Sequence, residues 1–342
     1  MDTERPPLDR TPSAEEWQEL FDMAEKQSIA GICFNAVSQL PREQRPPVEL
    51  YMNWLALTAS IVQTNEMMDK RTAETLRYFR ERGIPCQVLK GQGIAQLYGE
   101  LGTMRQSGDI DVWVGGGRKR LYALSKKETG ELKGLTYHHI HYPLFEDVEV
   151  EAHVWPSFLS SPLRNHRLHR FCKVYEPTEG CADTPPLSFN RIFILLHGYQ
   201  HFSGHGVGLR QLMDYYFVLK QSFTEGEREE SMRWISKLGM KRYVAALMWL
   251  CWEVFGLEDK YLLCKPDKTD GRFMLDEVLQ TGNMGHSDER TDRRMLQTAG
   301  GRFAFNLKRD IHLMRLCPHE TLWEPWFGIY QYTCRKLRIW EK

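Results

Sequence analysis

Apolar residues at Trp17, Leu20, Phe21 and Ala24 recur at i, i+3, i+4 and i+7, the spacing of one helix face. The preceding Thr11-Pro12-Ser13-Ala14-Glu15-Glu16 puts acids in the first turn and reads as the helix start. A second helix is expected over 32–40, after which Pro41, Pro46 and Pro47 punctuate. Met, Leu and Ile positions spaced for burial predict a long helix over 48–82, stopped at Gly83. The pattern then shortens. Residues 84–90 make a strand candidate, and 91–98 a short helix with Ile94, Leu97 and Tyr98 on one face. A second strand starts near Asp109, runs over 110–114 and stops at Gly115-Gly116-Gly117. A helix is expected over 118–127, then a hairpin of 135–142 and 148–154 about a turn at 143–147. Beyond Pro156, Pro, Ser and Arg fill the chain as far as Pro186, with no strong helix. From Asn190 the pattern is helical through Leu219, over 227–255, and again toward the C-terminus. The expected class is α+β, with a small mixed sheet in an α+β core over 83–158. Helical regions over 1–82 and 159–342 flank it.

With 342 residues and 42% hydrophobic content, the chain can bury one large core or two to three small ones. Its 45 basic and 45 acidic residues give a formal net charge of +0, so no global field draws it to nucleic acid. A long nucleic-acid partner is therefore disfavoured, although a local basic groove remains compatible. The longest apolar run, 243–252, is about half of a bilayer-spanning helix. The opening Met1-Asp2-Thr3-Glu4-Arg5-Pro6-Pro7 lacks the apolar segment of a secretory signal. Cys33, Cys86, Cys172, Cys181, Cys251, Cys264, Cys317 and Cys334 form no C-x-x-C pair and read as reduced thiols. Together these features predict a soluble, cytoplasmic protein without a membrane partner.

Charge becomes chemistry at Arg105-Gln106-Ser107-Gly108-Asp109-Ile110-Asp111-Val112-Trp113-Val114. On a strand, Asp109 and Asp111 share a face with Cα atoms roughly 6.6 Å apart, close enough for two carboxylates to meet at one cation. A bare D-x-D pair is more often a solvated strand start. Here a Ser-Gly turn precedes it and β-forming apolar residues flank it, an environment costly for acids unless a cation is present. Nucleotidyl transfer requires a divalent metal at the triphosphate, and Mg²⁺ prefers carboxylate oxygens. Glu149, Glu151 and His153 alternate onto one face of the second hairpin strand, so either Glu149 or Glu151 can supply a third carboxylate. The alternative is an ordinary amphipathic edge strand. Lys90-Gly91 closes one strand and opens a helix, where free N–H groups and a lysine can meet phosphate. Arg105 can reach a phosphate or lie as a surface arginine. No Walker A loop is present.

His138, His139 and His141 cluster on one strand, and His197, His201 and His205 recur at helical spacing. Without H-E-x-x-H, a structural role is the more economical reading for most of them, while His197 and His201 can line a substrate cleft. Gly204 and Gly206 should break the helix before His205. Arg164 and His169 fit the permissive R-x-x-x-x-H spacing of some small ribonucleases.

Lys90-Gly91, Arg105-x-Ser107-Gly108-Asp109-Ile110-Asp111-Val112-x-Val114 and Glu151-x-His153 together resemble the uncharacterised nucleotidyltransferase family of bacteria, in the DNA polymerase beta-like superfamily. The resemblance runs from about Trp17 to near the C-terminus. It includes the His197–His201 helix and Leu209-Arg210-x-x-x-Asp214 after it. Where the superfamily opens its helix with Gly-Ser, this chain has Lys90-Gly91.

The resemblance implies Asp109, Asp111 and Glu151 as catalytic and metal-binding residues for Mg²⁺ or Mn²⁺. Nucleotide contacts are then expected from Lys90, Gly91, Arg105, Ser107 and Gly108. The implied activity moves an NMP group from an NTP, such as ATP, to a hydroxyl of a small-molecule or protein acceptor between the sheet and the C-terminal helices. The alternative is a non-catalytic nucleotide-binding or antitoxin-like protein that retains the fold.

Overall fold

The computed structural model describes residues 7–204, 206–285 and 298–341. The expectation for His205 lies outside the described residues. Helix α1 (Ala14–Lys26) starts at Ser13, whose hydroxyl accepts from Glu16 N while Glu16 caps Ser13 N in return. Helix α2 (Ala30–Ser38) packs on α3 (Val48–Glu81), and Trp54 Nε1 donates to Ala30 O at 2.8 Å. The 34 residues of α3 start directly after Pro47 and give way at Gly83, whose φ of +68° suits a residue without Cβ. This helix spans two cores: Leu50, Trp54 and Ile61 lie in a large helical one, and Met68, Leu76 and Phe79 in a smaller one behind the sheet.

Next come β1 (Cys86–Val88), α4 (Gln92–Ala95), β2 (Ile110–Val114), α5 (Gly117–Thr129), β3 (His139–His141) and β4 (Val150–His153). The strands form one mixed sheet in the order β1-β2-β4-β3. β1 is antiparallel to β2, β2 is parallel to β4, and β4 is antiparallel to β3. The expected hairpin is thus β3–β4. The parallel β2–β4 pair requires a long connection, which α5 and β3 supply. The short helix expected over 91–98 is found as α4, which has four residues, followed by a 3-10 segment over Gln96–Met104 that is kinked at Gly99, where φ is +61°.

Side-chain alternation gives the sheet two different faces. Ile110, Val112, Val114, Ile140, Val150 and Ala152 form the small core with α3 and with Leu121 and Tyr122 of α5. Asp111 and Trp113 of β2, Glu151 and His153 of β4, and His139 and His141 of β3 take the other face. Trp113 anchors that face to the helical domain by stacking on Phe189, with ring centroids 5.2 Å apart.

The remainder is helical: α6 (Pro162–Val174), α7 (Leu187–Ser203), α8 (Leu209–Leu219), α9 (Glu225–Leu238), α10 (Lys241–Glu253), α11 (Lys268–Thr281), α12 (Ala299–Leu313) and α13 (Pro318–Lys336). Helix α6 corrects the reading of 156–186 as lacking a strong helix. Pro162 sits in its first turn, where a missing N–H costs nothing, and Leu168, Phe171 and Cys172 bury its inner face. Glycines divide the longer helical patterns: Gly204 caps α7, and Gly239, at φ +82°, caps α9. Among the described residues no helix is long and apolar enough to cross a membrane.

Candidate active site

The register of the sheet assembles the site. Asp111 lies beside Glu151 across the β2–β4 pair, and Glu151 lies opposite His141 across β4–β3. Two residues further along each strand, Trp113, His153 and His139 form a second row on the same face. Neighbouring strands are about 4.8 Å apart, so these side chains come within bonding reach. His153 Nε2 donates to Asp111 Oδ1 at 2.9 Å and lies 3.3 Å from Glu151 Oε2. Asp111, Glu151 and His153 present ligand atoms within 4.8 Å of one another, a set that can hold a cation. Asp111 Oδ2 is buried, and the group that faces it is the ammonium of Lys90.

The cation in contact with these oxygens is Lys90. Its Nζ lies 3.3 Å from Asp109 Oδ2 and 3.1 Å from Asp111 Oδ2. The turn after β1 places it there, since Leu89 N donates to Asp111 O and Gly91 adopts φ +60°. A Cβ on residue 91 would meet Asp109 O at 3.6 Å, so the position is constrained by its backbone angle more than by space.

Burial works against the Asp111 carboxylate, but Lys90 and the His153 hydrogen bond outweigh it and hold its pKa far below the ordinary range. Burial likewise opposes the Lys90 ammonium, but Asp111, Asp109 and Glu151 prevail and raise it. His153 is raised to about 9 because its bonds to Asp111 and Glu151 overcome its burial. Burial pushes His138 and His197 down, and His139 down to about 4, with neighbouring histidines adding to the effect.

These groups open into a cavity of about 580 Å³. Its inner wall is the sheet, with Lys90, Asp109, Asp111, Glu151, His139 and His153. His197, Gln200 and His201 of α7 line a second wall, the place expected for the two α7 histidines. The outer wall comes from α12 and α13, including Asn306, Arg309, Glu320, Glu324 and Gln331. That wall escaped sequence reasoning, since nothing local links residues near 310–330 to a strand at 110. His138 and His139 also enter the lining, although they read as structural; the His139–His141 alternation was the available signal.

Of the expected nucleotide contacts, Lys90 lines the cavity, whereas Gly91, Arg105, Ser107 and Gly108 are not among its lining residues. Arg105 is bound through Nε and Nη2 to the two oxygens of Asp214, both at 2.7 Å, with each side chain 4% exposed. It is a buried structural partner, reinforced by Tyr98 Oη, which donates to Asp214 Oδ1 at 2.7 Å. Ser107 Oγ donates to Gln92 Oε1 and accepts from Arg105 Nη1, so its hydroxyl is already engaged within the chain. Gly108 is exposed, and an added Cβ there would meet nothing within 4 Å. Glu149 sits outside the inner row: its side chain is 54% exposed and faces His141 Nδ1 at 2.5 Å.

The ribonuclease-like pair is not assembled. Arg164 packs beside Gly239 and His319, while His169 stacks on Trp155 with centroids 3.9 Å apart. Five residues on a helix separate side chains by about 140°, which accounts for the two faces.

Residues 13–256 match the profile of a family described as uncharacterised nucleotidyltransferase. No curated protein and no solved structure matches the chain. The family match covers well over half of the sequence and contains every carboxylate of the inner row, so the chain belongs to the uncharacterised nucleotidyltransferase family.

Proposed function

We propose that the chain transfers an NMP group from a nucleoside triphosphate to a hydroxyl of an acceptor held in the cavity. The observation that carries this reading is the pairing of Asp111 with Glu151 across β2–β4, with Asp109 and Lys90 at its edge. Asp109, Asp111 and Glu151 offer hard oxygen donors that fit Mg²⁺ or Mn²⁺. Such an ion, when bound, neutralises charge on the triphosphate and makes the acceptor hydroxyl more acidic.

The chain's own residues do the rest. Glu151 accepts the hydroxyl proton as the acceptor oxygen bonds to the α-phosphorus and the bond to pyrophosphate breaks. Lys90, released from the carboxylates, moves to the phosphates, and Gly91 keeps the backbone there free of a side chain. Asn306, Glu320, Glu324 and Gln331 face the acceptor, with a polar lining suited to a hydroxylated small molecule or a protein side chain.

Thermal-shift titration with ATP, GTP, CTP and UTP, with and without Mg²⁺, tests the reading. A ligand at a hundred times its Kd should add about 2.7 kcal/mol of stability. One nucleotide should give a Mg²⁺-dependent shift that Asp109→Asn removes. Absence of any shift would instead favour a non-catalytic interaction protein.

Lys90 allows a separate prediction. Lys90→Met leaves Asp109 and Asp111 without their ammonium, and the metal-free chain should lose about 1–3 kcal/mol. Saturating Mg²⁺ should restore most of that loss in a urea titration. If Mg²⁺ stabilises wild type and variant equally, Lys90 and the ion do not share the carboxylates.

A further inference from the structure

His139, His141 and Glu151 form a second donor cluster, displaced along the sheet from Asp109. We propose that it binds a transition-metal ion of the zinc class, beside the Mg²⁺ position at Asp109 and Asp111 and sharing Glu151 with it. The inference rests on the reading of Glu151 as a metal ligand.

Geometry provides the first support. His141 is directly opposite Glu151 in the β3–β4 register, and His139 lies two residues along on the same face. His139 Nδ1 is 3.2 Å from Glu151 Oε2, and His141 Nε2 is 3.7 Å from Oε1. All three ligand atoms lie within 4.8 Å of one another, close to the spacing of about 4.2 Å or less found around one zinc ion. Burial provides the second. His139 is 8% exposed, and its Nδ1 is buried facing Glu151 Oε2 without a well-aligned hydrogen bond, so the pair is placed to share an ion.

The third support is the position of Glu149. It faces His141 Nδ1 at 2.5 Å and so directs the Nε2 lone pair toward Glu151. A carboxylate behind a ligating imidazole is the usual way in which protein metal sites fix the tautomer and ring orientation. Glu149 is thereby a positioning residue, while Glu151 supplies an oxygen. Two imidazoles and one carboxylate favour zinc, cobalt or nickel over magnesium, which prefers oxygen throughout. Three protein ligands also leave one coordination position open to the cavity.

The test uses the full chain stripped of metal and titrated with Co²⁺ in excess Mg²⁺. Visible absorption is followed, and bound cobalt is counted after dialysis. One Co²⁺ per chain is expected, retained against Mg²⁺. His139→Gln and His141→Ala should each weaken binding about a hundredfold, and Glu149→Gln about tenfold to a hundredfold. Asp109→Asn should leave it in place. The side chain of His141 is 40% exposed, so His141→Ala remains readable even if a change at His139 disturbs folding. No saturable binding overturns the inference, as does binding that Asp109→Asn removes and the histidine variants keep. Co²⁺ binding without any nucleotide shift would leave this site standing and refute the transfer reading. A nucleotide shift without Co²⁺ binding would do the reverse.

Discussion

Asp111→Asn should lower nucleotidyl transfer about a thousandfold or more, the scale expected when a ligand supporting several kcal/mol of transition-state stabilisation is lost. Asp111 is the most deeply buried carboxylate of the inner row, held by Lys90 and His153 and set beside Glu151 by the β2–β4 register. Asn is nearly isosteric and keeps one carbonyl oxygen for His153, so the sheet should remain intact. The effect is read as pyrophosphate release with the acceptor that a nucleotide-guided screen identifies, alongside far-UV circular dichroism. A variant folded like wild type and equally active would end the proposed mechanism. A variant that retains nucleotide binding but not turnover would place the role of Asp111 in the chemical step.

The second large effect is on stability. Asp214→Ala should cost about 3–5 kcal/mol, because it leaves the Arg105 guanidinium buried without its counter-charge. Arg105 and Asp214 are 109 residues apart in sequence and join the turn before β2 to α8. The measurement is the urea midpoint of the purified variant. The conservative Arg105→Lys should also destabilise, since an ammonium cannot reproduce the two-pronged bond to Asp214. In either variant the folded fraction should bind nucleotide with near-native affinity. A large loss of nucleotide affinity with unchanged stability would return Arg105 to the phosphates.

The same pair marks the boundary of what local pattern reveals. The helix face of α1, the length of α3, the β3–β4 hairpin and the shared face of Asp109 and Asp111 all follow from spacing within a few residues. They were therefore legible. That β2 would pair in parallel with β4 was not, because the connection through α5 and β3 leaves register open until the sheet forms. Register in turn separates Glu151, beside Asp111, from Glu149, which turns out toward His141. Arg105 could be read locally as a phosphate contact or as a surface arginine, and the Asp214 that binds it lies on a helix far along the chain. Helix α6 was hidden by Pro, Ser and Arg, which disfavour a helix locally, whereas Leu168, Phe171 and Cys172 gain their stabilisation from tertiary burial.

The ammonium of Lys90 between two aspartates has a consequence for the order of events in the life of the protein. Small zinc domains cannot fold until their ion arrives, because nothing else offsets their converging ligands. Here the chain carries its own provisional counter-ion, on the residue directly after β1, so the acidic pocket can close during synthesis under metal-starved conditions. Chelators should then silence the protein reversibly without unfolding it. On the proposed reading, arrival of the ion would exchange one cation for another and would free Lys90 for an incoming triphosphate.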